Sequence, residues 1–158
     1  MSDSNQFKLA GVMGMPIFQS RSPLIHNHWI ALHGIKAAYG HFPVQIHQVE
    51  AAVRGLAALG MAGCNITLPH KVKAMPLMDH LTPLAQRVGA INCIVVHADG
   101  SLHGHNNDGY GYIQSIKDGK PDWRADAGPI TLLGAGGAAR AVIIALIDAG
   151  ALEIRLLN

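Results

Sequence analysis

The chain has 158 residues, of which 49% are hydrophobic and only 14% charged, and so low a charged fraction excludes an intrinsically disordered protein. Twelve Lys and Arg residues against ten Asp and Glu residues leave a formal net charge of +2, without the basic stripe that a nucleic-acid partner requires. No apolar run reaches the ~18 residues that cross a bilayer, and the first ten residues lack a signal-peptide pattern, so we expect a folded cytoplasmic protein that binds neither nucleic acid nor a membrane.

The first half of the chain alternates between strand and helix patterns. Short apolar runs bounded by Gly, Pro or Ser predict three strands, over residues 7–13, 38–42 and 63–66. Ser22 is predicted to be the N-cap of the first helix, with Pro23 at the first helical position. The i, i+4, i+8 spacing of Leu24, His28 and Leu32 supports this helix. Further helices are predicted over residues 48–59, 69–78 and 83–88.

The second half begins with a hairpin, formed by residues 91–96 and 101–105 around the turn residues Asp99 and Gly100. A helix is predicted over residues 108–117, and the polar stretch over 117–128 has the composition of a linker. The last predicted elements are a strand over 130–133, a helix through Ala149 and a strand over 154–157. Strands that alternate with helices predict an α/β fold with a mostly parallel sheet.

A glycine-rich loop lies between the strand and the helix of this last unit. The spacing Gly134-x-Gly136-x-x-Ala139 is that of a dinucleotide-binding fingerprint in its required strand–loop–helix context. Gly134 permits the tight turn, Gly136 lets the backbone approach a pyrophosphate, and the small Ala139 allows the helix to pack closely. The alternative is that Gly and Ala merely fill a turn. Asn158 occupies the place where an acidic residue would bind the ribose of NAD.

Polar residues follow two other predicted strands. Asn65, Thr67 and Lys71 cluster at the carboxyl edge of the sheet, where open α/β sheets bind their ligands. A lysine there, partly removed from water, is suited to general acid or base chemistry, whereas the alternative is a solvated surface lysine. Asp108 follows a strand and starts a helix, so it either orients the ammonium of Lys71 or caps the helix.

Two serines lie on the first strand-to-helix loop. The hydroxyls of Ser20 and Ser22 are placed to bind a substrate carboxylate, although a helix-capping role explains Ser22 equally well. The histidine pairs lack a third ligand at an obvious spacing, so we expect no metal site. Cys64 and Cys93 lie among apolar residues without CxxC spacing, and we expect buried, reduced thiols.

Taken in order, these segments resemble the shikimate dehydrogenase family from Gly14 to Asn158. Four family motifs are matched, S-x-S at Ser20 and Ser22, N-[VI]-T-x-P-x-K at Asn65, Thr67 and Lys71, G-A-x-N-T through Gly89, Ala90 and Asn92, and G-x-N-T-D through Gly104, Asn106 and Asp108. The loop from Gly134 to Ala139 is similar to the family's NADP loop. The resemblance implies the reversible, NADP-dependent reduction of 3-dehydroshikimate to shikimate, a reaction of aromatic amino acid biosynthesis.

The resemblance also implies a role for each matched residue. Lys71 would be the catalytic proton donor, and Asp108 would hold it and a ring hydroxyl in place. The implied substrate-binding residues are Ser20, Ser22, Asn65, Thr67, Asn92 and Asp108. The implied cofactor-binding residues are Gly134, Ala135, Gly136, Gly137, Ala138 and Asn158.

The family pattern further implies two domains with the active site between them. A substrate-binding catalytic domain is expected over residues 1–114, and the beginning of a Rossmann-like NADP-binding domain over residues 118–158. Two parallel strands and one helix cannot cover both faces of such a sheet. The sequence is therefore expected to be the front part of a longer enzyme.

Departures from the family pattern leave alternatives open. Cys93 and Asn107 stand where threonine is usual, and Arg21 separates the two serines. Quinate or a related cyclohexane carboxylate therefore remains an alternative substrate, and a non-catalytic protein that binds a small acid remains an alternative function. Asn158 is compatible with NADP or NAD, and we expect a monomer or a homodimer.

Overall fold

The computed structural model describes residues 6–158 and contains two β-sheets. Six strands form the first sheet, β1 (Lys8–Gly14), β2 (Ala37–Pro43), β3 (Met61–Ile66), β4 (His80–Leu81), β5 (Cys93–Val96) and β6 (Leu102–His105). Their spatial order is β2-β1-β3-β5-β6-β4, and β5 runs opposite to the other strands. In the second sheet, β7 (Ile130–Leu133) and β8 (Ile154–Leu157) pair in parallel. The predicted α/β fold with a mostly parallel sheet is thus confirmed.

Five α-helices connect these strands, α1 (Ser22–Leu32), α2 (Val49–Ala58), α3 (Pro83–Val88), α4 (Asp108–Gly119) and α5 (Gly137–Asp148). None of the helices within residues 6–158 combines the length and the hydropathy needed to span a bilayer. Helix α4 runs through the expected domain boundary at residues 114–118, and its N-terminal half packs against α5. Residues 1–5 of the expected first domain lie outside the described residues.

The helix predicted over residues 69–78 is wrong. This segment consists of successive turns and a 3-10 helix over Met75–Leu77. Pro76 lies within the predicted helix, and a proline there removes a backbone donor and clashes with the preceding turn. The two-residue strand β4, which the sequence pattern did not predict, follows directly.

Helix α1 differs from its prediction in two respects. Its N-cap is Arg21 rather than Ser22, which is the first helical residue, and no side chain caps this end. The predicted repeat does not face the core, because Leu24 is 74% and Leu32 66% exposed and no residue of α1 is fully buried. The amide of Asn27 instead ties the helix to edge strand β2, since its Nδ2 donates to the Tyr39 carbonyl (2.9 Å) and its Oδ1 accepts from the Tyr39 N–H (3.0 Å).

The main core lies on one face of the first sheet, where α2 covers the strands. Apolar side chains from α2, from the strands and from the segment before β5 are fully buried there, among them Val53, Leu56, Ile66, Ile91 and Ile94. The second sheet differs, since none of the residues of β7 and β8 is buried. The first sheet is therefore the rigid part of the molecule from which a site can be built.

Candidate functional site

Polar side chains from four segments meet at one edge of the first sheet. Strands β1, β3 and β6 end at this edge, and β5, which runs the other way, begins there. Every residue expected to bind substrate or act in catalysis lines one cavity of about 240 Å³, namely Ser20, Ser22, Asn65, Thr67, Lys71, Asn92 and Asp108. We call this cavity the polar pocket. The residues that the sequence places at the carboxyl edge of the sheet thus share one cavity.

An ion pair between Lys71 and Asp108 lies at the centre of the polar pocket. Lys71 Nζ donates to Asp108 Oδ2 at 2.5 Å, and their side chains are only 14% and 24% exposed. The second carboxylate oxygen, Oδ1, accepts from Asn92 Nδ2 at 2.8 Å. Both oxygens therefore have partners that hold the carboxylate in one orientation.

Asp108 does not cap helix α4. The N-cap is Asn107, and Asp108 is the first helical residue, with its backbone N–H donating to Asn106 Oδ1 at 3.1 Å. Asn106 is buried and donates from Nδ2 to the Ala90 carbonyl at 2.9 Å. The capping alternative for Asp108 is therefore wrong, and the buried amide of Asn106 fixes the start of the helix instead.

Ser20 and Ser22 are hydrogen-bonded to each other. Ser20 Oγ donates to Ser22 Oγ at 3.2 Å and accepts from the Ser22 N–H at 3.3 Å. The capping alternative for Ser22 is wrong, because its hydroxyl makes no cap hydrogen bond. In this arrangement the Ser22 hydroxyl proton is left for a ligand in the polar pocket, as binding of a carboxylate requires.

Two aromatic residues that the sequence analysis missed support the polar pocket. The Tyr39 hydroxyl donates to Asn65 Oδ1 at 2.6 Å. His26 lines the pocket, stacks on the Tyr39 ring with centroids 4.2 Å apart, and bonds through Nδ1 to the Ser22 carbonyl at 2.9 Å. The signal in the sequence was a tyrosine within the strand predicted over residues 38–42, whose hydroxyl needs a partner when it is buried.

A second cavity, of about 550 Å³, separates the glycine-rich loop from the first sheet. On the side of the glycine-rich loop, the cleft is lined by Ala135, Gly136, Gly137, Ala138 and Arg140. On the side of the first sheet, it is lined by the segment after β3, namely Thr67, Leu68, Pro69, Lys71 and Val72. Gly137 allows the close approach, since a Cβ there would lie 3.0 Å from Lys71 Cβ. Arg140 was not predicted, although it follows the fingerprint directly.

The loop presents backbone donors to the cleft. Gly136 is the N-cap of α5 without a side-chain cap, so the first N–H groups of the helix are free to bind an anion. Of the expected cofactor residues, Gly134 and Asn158 lie outside the cleft lining. Gly134 makes the predicted tight turn with φ +94°, and Asn158 follows β8 next to it, where Gly134 N–H donates to the Leu157 carbonyl at 2.7 Å.

The polar pocket and the cleft meet at Thr67 and Lys71, which line both. A proton on Lys71 Nζ is thus placed between a small polar molecule in the pocket and a larger anionic group against the loop. This arrangement suits an oxidoreduction in which a proton and a hydride reach the same substrate from different directions.

Neither cysteine lines the polar pocket or the cleft. Both thiols are free, with Cys64 buried and Cys93 only partly so. Burial raises the pKa of the Cys64 thiol to about 12 and also raises the pKa of Cys93, so both stay neutral at physiological pH. Among residues 6–158, no three His, Cys, Asp or Glu side chains are grouped to hold a metal ion.

Comparisons with known proteins identify the family to which this chain is similar. Residues 12–94 match the family model described as the shikimate dehydrogenase substrate binding domain. The shikimate dehydrogenase (NADP(+)) of Paramagnetospirillum magneticum is 48% identical over 155 residues, which are 98% of this chain and 56% of that protein. The chain spans about half the length of the curated relatives it matches.

Solved structures share the fold over nearly the whole chain. Shikimate dehydrogenase from Aquifex aeolicus has a TM-score of 0.89 at 32% identity, covering 98% of this chain and 64% of that chain. Shikimate 5-dehydrogenase from Thermus thermophilus, solved in complex with NADP(H) and shikimate, has a TM-score of 0.85 at 31% identity, covering 95% of this chain and 55% of that chain.

Proposed function

The chain belongs to the shikimate dehydrogenase substrate binding domain family, and from this premise we propose that its polar pocket binds shikimate for reversible NADP-dependent oxidation to 3-dehydroshikimate. The observation that supports this most is the Lys71–Asp108 ion pair at the junction of pocket and cleft. A proton donor at that junction is what the reduction of a ring ketone requires.

Each polar group of the pocket has a proposed task. The Ser22 hydroxyl donates to the substrate carboxylate, and the Ser20 hydroxyl turns its proton from Ser22 Oγ to the same carboxylate, so that both bonds are charge-assisted. The remaining pocket groups contact ring hydroxyls, namely Asn65, Thr67, Asn92 and Asp108. Lys71 donates a proton to the carbonyl oxygen during reduction and takes it back during oxidation, while Asp108 keeps the ammonium oriented.

The residues of the cleft fit a dinucleotide. The space beside Gly136 is open, since a Cβ there would meet nothing within 4 Å, and the free N–H groups at the start of α5 suit a pyrophosphate. We propose that the backbone of residues 134–138 holds NADP there, with NAD as the alternative at Asn158. When bound, this cofactor supplies or accepts the hydride.

Other expectations stay proposals. The division into a substrate domain over residues 1–114 and a cofactor domain from residue 118 is supported by the two separate sheets. The cytoplasmic location and the choice between monomer and homodimer remain predictions from the sequence.

The test measures the absorbance at 340 nm as NADP is reduced in the presence of shikimate. It uses the 158-residue chain and a fusion in which this chain replaces the 155 residues that match it in the Paramagnetospirillum magneticum relative. We expect a folded, active fusion in which Lys71→Ala lowers turnover by at least ~10² with little change in shikimate affinity.

Lys73→Ala is the matched control, because Lys73 lies two residues away, is exposed and, among residues 6–158, donates only to the Ile46 carbonyl. It should leave turnover unchanged. An unchanged rate in Lys71→Ala would overturn the catalytic role. Binding of shikimate by a folded fusion that shows no turnover would instead favour the non-catalytic alternative.

A further inference from the structure

We propose that Tyr39 is a positioning residue of the polar pocket, which acts through Asn65 and fixes the amide of Asn65 with an N–H directed at the ligand. The pocket would therefore select a ligand with an acceptor oxygen at that point. The identity of the ligand rests on the proposed function, whereas the orientation of the amide does not.

The Tyr39 hydroxyl is a permanent donor to Asn65. It contacts Asn65 Oδ1 at 2.6 Å, and Tyr39 is only 7% exposed. Burial raises the pKa of Tyr39 well above its ordinary value, so the hydroxyl keeps its proton over the whole physiological range. A protonated hydroxyl with a carbonyl oxygen beside it donates rather than accepts.

A second contact demands the same orientation of the amide. Asn65 Nδ2 donates to the Asn92 backbone carbonyl at 3.3 Å, and a carbonyl oxygen can only accept. A flipped amide would lose both hydrogen bonds at once. Since the NH₂ group has two N–H donors and the Asn92 carbonyl uses one, the other is available to the pocket that Asn65 lines.

The ring of Tyr39 is held independently of any ligand. His26 stacks on it at 4.2 Å with an interplanar angle of 10°, and Asn27 bonds to both backbone groups of Tyr39. His26 is in turn bonded to the Ser22 carbonyl. The hydroxyl thus occupies a fixed position before a ligand enters, which is the condition for a preorganised contact.

Removal of the hydroxyl should loosen the amide of Asn65, because only its 3.3 Å contact with the Asn92 carbonyl would then hold its orientation. A rotated amide would no longer direct an N–H at the oxygen of the ring hydroxyl that Asn65 is proposed to contact. Tyr39→Phe deletes the hydroxyl and keeps the ring that stacks on His26. Tyr112→Phe is the matched control, because Tyr112 is exposed and its hydroxyl has no hydrogen-bond partner among residues 6–158.

The first measurement is a double-variant cycle for shikimate affinity by calorimetry. We expect Tyr39→Phe to weaken binding about three- to tenfold, the loss typical of one hydrogen bond, and Tyr112→Phe to leave it unchanged. Added to Asn65→Ala, Tyr39→Phe should change affinity less than about twofold, because its route to the ligand is already gone. Equal losses in both backgrounds would overturn the proposal.

The second measurement needs no ligand and separates this inference from the proposed function. Side-chain NH₂ signals of Asn65 are identified in ¹⁵N spectra by their loss in Asn65→Ala. We expect Tyr39→Phe to shift these signals and to speed their exchange with water, while Tyr112→Phe leaves them in place. Unchanged Asn65 signals in folded Tyr39→Phe would overturn the inference, even where shikimate binds. If the wild-type chain fails to bind shikimate, the proposed function fails and these signals still decide the role of Tyr39.

Discussion

The two sheets present their polar groups in different ways. In the first sheet, side chains line the polar pocket, and most of them are held by hydrogen bonds within the same region, as Asp108 is by Lys71 and Asn92. In the second, the loop before α5 offers backbone N–H groups, and the strands beside it have no buried residue. Side chains that bind a ligand need a packed core to hold them in place. Backbone N–H groups need only a turn and the start of a helix to point at a ligand.

Besides the approach of Gly137 to Lys71, the packing of two helices also joins the two regions. Helices α4 and α5 approach so closely at Gly109 that a Cβ there would lie 2.7 Å from the Ala141 carbonyl oxygen and 2.8 Å from Ala145 Cβ. A bidentate ion pair between Arg87 and Asp148 adds a second, exposed link. Since exposed ion pairs contribute little, the close packing at Gly109 is the stronger of these two links.

The largest expected effect is a difference between the two sheets in the free energy of unfolding that is lost when a residue is truncated. Ile94→Ala opens a cavity in the core of the first sheet, where Ile94 is 1% exposed, and should lower the free energy of unfolding by about 2–5 kcal/mol. Leu133→Ala, at a residue that is 79% exposed on β7, should cost under ~0.5 kcal/mol. Urea unfolding measures both, and equal losses would show that the second sheet is packed as tightly as the first.

A smaller effect is expected at the contact between the regions. Gly109→Ala should lower the free energy of unfolding by about 1–3 kcal/mol and weaken NADP binding, because the added methyl pushes α5 away from α4. Gly111→Ala, on the same helix with nothing within 4 Å of its Cβ, should raise stability by about 0.5–1 kcal/mol. If Gly109→Ala matched Gly111→Ala, the helices would not be in the close contact described.

Within the first region, Ser20 and Ser22 are expected to contribute to substrate binding, and Ser22 is not expected to contribute to stability. Ser20→Ala and Ser22→Ala should each weaken shikimate binding by roughly 1–3 kcal/mol, the range of a charge-assisted hydrogen bond. Because Ser22 does not cap α1, Ser22→Ala should leave the melting temperature nearly unchanged. A drop in melting temperature with unchanged shikimate affinity would restore the capping role and remove the binding role.

The smallest effect concerns Cys64 in the core. Its folded pKa of about 12 exceeds the ordinary value of 9.0, so burial of the neutral thiol stabilises the fold below pH 9 and this stabilisation is lost as the pH rises towards 12. The free energy of unfolding should fall by about 1 kcal/mol between pH 8 and pH 10 through this group. The decline should be shallower by that amount in Cys64→Ala, and identical pH slopes would contradict the assignment.

Local sequence signals predicted well the elements that depend on them. The sequence predicts strands β7 and β8 to the residue, because each is a short, mostly apolar run between residues that disfavour strands, Pro129 and Gly134 for β7 and Glu153 and Asn158 for β8. The grouping of Asn65, Lys71 and Asp108 followed from the rule that strand ends share one edge. These inferences need only the order of elements along the chain.

The register in which β1 pairs with β2 and with β3 could not be predicted from the sequence. Tyr39 meets Asn65 because β1 pairs Ala10 with Tyr39 on one side and Val12 with Asn65 on the other, and local sequence does not specify such register. Likewise, the repeat in α1 predicted a helix correctly but could not show whether its apolar residues are covered. The contacts that orient the polar pocket therefore required the three-dimensional structure.

Calorimetric titration of shikimate into the 158-residue chain tests most directly the central claim, that the polar pocket is a binding site for a small hydroxylated acid. We predict saturable one-to-one binding that is lost in the folded double variant Ser20→Ala/Ser22→Ala. Lys73→Ala, outside the pocket, should bind as the wild-type chain does. No binding by the folded wild-type chain, or equal binding by the double variant, would contradict the account.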